Sequence, residues 1–151
     1  MRPRTVLFLC TGNYYRSRFA EGLFNHLAGE LGLDWRADSR ALALDKGQSV
    51  NPGPISRFTL EALKQRSIPV AEPIRYPRPA TVEDFESASL IIALKEAEHR
   101  RLMRQRFPDW ENRVIYWHVH DLDRLPHHEA LPEIETLVKA LVASLLAAGG
   151  D

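Results

Sequence analysis

Apolar and polar residues along this chain alternate between two periods. Thr5-Val-Leu-Phe-Leu-Cys10 opens with a continuous apolar run, Val6 to Leu9, of the kind that forms a strand covered on both faces. From Ser17 to Leu31 the apolar positions are Phe19, Ala20, Leu23, Phe24, Leu27, Ala28 and Leu31, which fall on one face of a helix that fades at Gly29 and Gly32. Trp35 to Ser39 reads as a short strand, and Leu42 to Pro54 as a loop broken by glycine and proline. Ser56 caps a predicted helix reaching Arg66, the proline-bearing Ile68 to Pro79 reads as loop, and Thr81 to Glu86 as one short helix. Ala88 to Leu94 is a second fully covered strand, Lys95 to Arg106 a charged helix ended by Pro108, and Val114 to Trp117 a last strand. Leu131 to Ala147 is a strongly patterned helix stopped by Gly149-Gly150. Strands alternating with helices predict an α/β fold of about four parallel strands with helices on both faces, as one domain over 1–151.

The chemistry gathers at the end of the first strand. Cys10-Thr-Gly-Asn-Tyr-Tyr-Arg-Ser17 places a thiol at a strand's carboxyl end, in a loop feeding a helix N-terminus. Open parallel sheets bind ligands beyond such ends. Converging backbone N–H groups and the positive end of the helix dipole favour thiolate over thiol there, and they attract an anion. Arg16 offers a planar fork for two oxygens of a phosphate, and Gly12 suits a turn of unusual dihedrals or close backbone approach. A nucleophile inside an anion cradle is what phosphoryl transfer to sulfur requires.

Composition narrows the field. Twenty basic residues balance twenty acidic ones, so bulk charge argues for neither nucleic acid nor membrane as partner. One cysteine excludes an internal disulfide framework and a thiolate-rich zinc site. Met1-Arg-Pro-Arg4 and the apolar run after it are too short for a signal peptide, and the expected location is cytoplasmic.

The Cys10 to Ser17 stretch resembles the signature loop of low-molecular-weight protein tyrosine phosphatases, a family shared with related arsenate reductases. The resemblance implies a flavodoxin-like sheet and a two-step phosphatase mechanism through phosphocysteine, with no metal or organic cofactor. It implies a phosphate cradle of Thr11, Gly12, Asn13, Tyr14, Tyr15, Arg16 and Ser17, with Cys10 as nucleophile. Ser17 would donate to the sulfur when it leaves, unless it is a plain helix-start serine. Asn13 and Ser39 would brace the loop, the alternatives being a turn asparagine and a surface serine. The segment 117–126 offers Asp121 and Asp123, and the family's general acid matches Asp121 better, although Leu122 stands where proline is usual. The implied substrate is a phosphotyrosine protein or a small aryl phosphate. The rivals are an arsenate reductase finished by an external thiol and a non-catalytic phosphoprotein-binding module.

Several residues depart from the family's pattern. Tyr15 stands where a second cysteine is frequent, so no neighbouring thiol can trap oxidised Cys10. Arg18 replaces a frequent proline, and Lys95 stands near a usual aspartate. Tyr14 and Tyr15 could carry a substrate ring or simply pack. His118, His120, His127 and His128 have no recognisable ligand spacing, and Arg100, Arg101, Arg104 and Arg106 read as a self-paired surface with Glu96 and Glu98.

Overall fold

The structure, a computed structural model, describes residues 3–47, 51–119 and 127–149. Its strands are β1 (Arg4–Cys10), β2 (Trp35–Ala41), β3 (Leu90–Ala93) and β4 (Ile115–Tyr116). Its helices are α1 (Arg16–Leu31), α2 (Leu44–Gly47), α3 (Arg57–Gln65), α4 (Val82–Ser87), α5 (Glu96–Arg106) and α6 (His127–Gly149), with a 3-10 turn over Pro108–Arg113. The strands form one parallel sheet in the order β2-β1-β3-β4. The two central strands are the two continuous apolar runs, because only they are covered on both faces.

Alternate residues of β1 feed two cores. Val6 and Phe8 pack with Phe19, Leu23 and Phe24 of α1, Leu63 of α3, and Ile134 and Val138 of α6. Leu7 and Leu9 pack with Ile91 and Ala93, Phe85 of α4, and Leu102 and Met103 of α5. Strand β2 lies at the sheet edge, and the Asn25 side chain of α1 reaches its backbone, accepting from Ala37 N at 2.7 Å and donating to Ala37 O at 3.1 Å.

Several elements differ from the sequence-based reading: β3 and β4 are shorter than the strands expected over 88–94 and 114–117, and the 3-10 turn was not expected. The expected loop Leu42 to Pro54 contains the short helix α2, and the terminal helix begins earlier than Leu131. Pro132 is the sixth residue of α6 and lies inside the helix, where it removes the N–H that would bond to the carbonyl four residues earlier. The predicted Ser56 cap is present, its Oγ accepting from Phe58 N, and Thr81 and Asp84 form a reciprocal capping box at the start of α4. Of the α5 arginines, Arg100 pairs with Glu96 of the same helix at 2.9 Å as expected, whereas Arg104 pairs with Glu111 at 2.9 Å and Arg106 with Asp45 at 2.8 Å, both outside α5.

Candidate active site

Strand β1 delivers Cys10 to the carboxyl edge of the sheet, and the chain turns through residues 11–15 into α1. The turn is held from outside by its carbonyls. Cys10 O accepts from Leu42 N and Thr11 O from Ala43 N at 2.9 Å, while Tyr14 O accepts from Ser56 N at 3.0 Å. Tyr15 O accepts from the buried Thr59 hydroxyl at 2.9 Å. In a trans peptide the N–H points opposite to its own carbonyl. Outward carbonyls at Cys10, Thr11, Tyr14 and Tyr15 therefore turn the N–H groups of Thr11, Gly12, Tyr15 and Arg16 toward the inside of the loop, which makes a concavity for an anion.

Within that loop Cys10 is buried, and its sulfur lies 2.9 Å from Ser17 Oγ. Ser17 also accepts from Asn13 Nδ2 at 2.9 Å, and its hydroxyl hydrogen has no other acceptor among the described residues. With Asn13 donating to Ser17, the hydroxyl hydrogen is left to point at the sulfur. The N-cap position of α1 is Tyr15, without a side-chain cap bond, so Ser17 is not the capping serine.

The left-handed position of the loop is Asn13, at φ 51°, rather than Gly12. Asparagine tolerates that region, and here its amide has a second task. Nδ2 also donates to Ser39 Oγ at 2.9 Å, and Ser39 is fully buried rather than a surface serine. Gly12 answers a close approach instead: a Cβ there would stand 3.3 Å from Asn51 Nδ2. Tyr15 packs in the core, where burial raises its phenol to about 12, so it is not the wall for a substrate ring. Tyr14 is half-buried and donates its hydroxyl to Pro52 O at 2.5 Å.

Arg16 is buried at the start of α1, and its Nη1 has no hydrogen-bond partner among the described residues. A buried guanidinium nitrogen left open calls for an acceptor that arrives with a ligand. Behind it stands α5, which sequence reasoning had assigned to the surface. Glu98 Oε2 lies 3.7 Å from Arg16 Nη2, and Oε1 accepts from the Thr11 hydroxyl. Burial would raise the Glu98 carboxyl, but the Thr11 bond and Arg16 outweigh it and hold it below the usual carboxylate range. His99 beside it is fully buried; its Nδ1 accepts from Lys95 N at 3.1 Å, and its Nε2 lies 3.9 Å from Glu98 Oε1 without a hydrogen-bond partner among the described residues. The pattern His99-Leu102-Met103 was the available signal, since i, i+3 and i+4 share one buried face.

Two further arginines were missed. Arg18 is buried, donates to Pro54 O and Arg75 O at 3.0 Å, and burial lowers it to about 10. Arg75, from the proline-rich loop, donates to Asn13 Oδ1, Ser39 O and Ser39 Oγ at 3.0 Å and to Glu21 Oε1 at 3.1 Å. Asp121 and Asp123 lie outside the described residues, as do His120 and the side chains of His127 and His128. Among the described residues no group of histidine, cysteine, aspartate and glutamate is disposed to hold a metal ion, and no helix is long and apolar enough to cross a membrane.

A family model for low molecular weight phosphotyrosine protein phosphatase matches residues 5–148. A protein-arginine-phosphatase of Bacillus subtilis is 28% identical over 110 residues, which are 73% of this chain and 67% of that protein. The human low molecular weight phosphotyrosine protein phosphatase is 32% identical over 104 residues, 68% of this chain and 61% of that protein, so the match spans about three fifths of the human relative. The crystal structure of a low molecular weight protein tyrosine phosphatase from T. tengcongensis superposes with a TM-score of 0.76 at 26% identity, over 93% of this chain and 99% of that one. Its sheet and helices share the flavodoxin-like arrangement. By sequence and by fold, the chain belongs to the low molecular weight phosphotyrosine protein phosphatase family.

Proposed function

We propose that this chain hydrolyses protein phosphomonoesters through a phosphocysteine. The observation that carries the reading is the pairing of a buried sulfur, hydrogen-bonded to Ser17, with an unpartnered guanidinium nitrogen on the same short loop. In the first step Cys10 sulfur attacks phosphorus, and the S–P bond forms as the bond to the leaving oxygen breaks. The loop N–H groups and Arg16 hold the three remaining oxygens, where charge is greatest in the transition state. Asp121, matched to the family's acid, gives the leaving oxygen its proton. In the second step water attacks phosphorus, its proton passes to Asp121, and sulfur leaves as thiolate, stabilised by the Ser17 hydroxyl. Orthophosphate departs, and no metal takes part.

The family name supports phosphotyrosine as the substrate, and the Bacillus subtilis relative supports phosphoarginine as the second candidate, for which the bond broken is P–N and Asp121 would protonate the leaving guanidine nitrogen instead of an oxygen. A reduced thiol suits a cytoplasmic setting. Turnover of p-nitrophenyl phosphate by wild type, Cys10→Ser and Asp121→Asn tests the mechanism. Vanadate-sensitive turnover in wild type is expected, abolished by Cys10→Ser and slowed by Asp121→Asn. Undiminished turnover in Cys10→Ser would overturn it. Phosphotyrosine and phosphoarginine peptides compared by kcat/KM then assign the substrate.

A further inference from the structure

We infer that Arg75 is a positioning residue that sets the direction of the hydrogen-bond relay ending on the Cys10 sulfur. The inference rests on the phosphocysteine reading for its purpose, but its geometry stands apart from that reading. An asparagine amide can be inverted with little change in shape, and its orientation follows from its partners. At Asn13 two donors meet one end of the amide: Arg75 Nη1 at 3.0 Å and Arg78 N at 3.1 Å. Both are obligate donors, so that end is the carbonyl oxygen. The NH2 end must then face Ser17 and Ser39, each at 2.9 Å.

The consequence passes along the relay. Ser17 receives a hydrogen from Asn13, so its own hydrogen is free for sulfur. With the amide inverted, Ser17 would donate to Asn13 and face the sulfur with a lone pair. That arrangement opposes the thiolate. Ser39 works in the same sense, accepting from Asn13 and Arg75 and donating to Glu21 Oε1 at 2.5 Å. Arg75 is the charged origin of both branches. Its own charge is answered by Glu21 at 3.1 Å and Asp38 at 3.5 Å, and its backbone is pinned by Arg18. A side chain at 75 too short to reach Asn13 would leave the Arg78 N–H alone to hold the amide.

The test reads the sulfur directly, through iodoacetamide alkylation of Cys10 at about pH 6 and about pH 9, because only thiolate reacts. Arg75→Gln keeps a polar side chain too short to reach Asn13. Its ratio of the two rates, low pH over high, should fall about tenfold, the effect of one bond to a charged group. Arg75→Lys, which keeps the charge and one long donor, should recover part of that loss. In a Ser17→Ala background, Arg75→Gln should change the ratio less than about twofold, since the relay is already cut. An unchanged ratio in Arg75→Gln, or an equal fall with and without Ser17, would overturn the inference. A merely structural role would lower thermal stability while leaving the ratio alone. Failure of the phosphatase reading would appear separately, as wild-type protein without turnover.

Discussion

His99 allows a quantitative test of how α5 is built behind the arginine. Its imidazole is fully buried, bonded through Nδ1 to the Lys95 amide, and faced by Glu98, Lys95 and Arg16. Burial, reinforced by Arg16, pushes it from its usual 6.5 down to about 3, and Glu98 offsets this only in part. The unfolded chain therefore takes up a proton below about 6.5 that the folded chain refuses until about 3. Between those limits folding stability falls with falling pH, by up to about 1.4 kcal/mol per pH unit from this one group. From about pH 7.5 to about pH 5 the loss amounts to about 2 kcal/mol. His99→Gln keeps an acceptor for the Lys95 amide and removes the titration. Urea unfolding of both proteins at the two pH values isolates the effect, because every other carboxylate and histidine is common to both. The stability of wild type relative to the variant should drop by about 2 kcal/mol on acidification. Parallel stability curves would refute the reasoning.

Two kinetic outcomes follow from the neighbouring contacts. Glu98 competes for Arg16 from 3.7 Å, an ion pair worth about 1 kcal/mol net once desolvation is set against attraction, so Glu98→Gln should tighten inhibition by inorganic phosphate about fivefold; unchanged or weaker inhibition would show that the carboxylate only orients the guanidinium. Ser17→Ala removes a bond worth about 1.5–3 kcal/mol to the departing sulfur, so kcat should fall about tenfold or more and a burst of p-nitrophenol should appear as the phosphoenzyme accumulates; an undiminished kcat without a burst would contradict that role.

The sheet was legible because its two central strands are uninterrupted apolar runs, and because α1 and α6 carry single apolar faces. The loop from Cys10 to Ser17 was legible because strand, turn and helix follow within a few residues, so local sequence fixes local geometry. The bracing was not. Arg75 lies in a loop without periodicity, 62 residues from the asparagine it holds, and only the folded sheet brings Ala41 and Pro79 side by side. Glu98 looked like one more charge on a charged helix, and its Thr11 contact spans 87 residues. Tyr15 read equally well as a ring platform or as packing, and its burial in the core decided it. Glu21 carried a weak signal, standing one helical turn after Ser17, but its bond to Ser39 depends on the register of β1 against β2.

Rapid-quench mass spectrometry during turnover of p-nitrophenyl phosphate addresses the sulfur itself. The protein should carry a single phosphate, mapped by fragmentation to Cys10 and more abundant in Ser17→Ala. Steady turnover with no phosphoenzyme, or with phosphate on any other residue, would contradict the account.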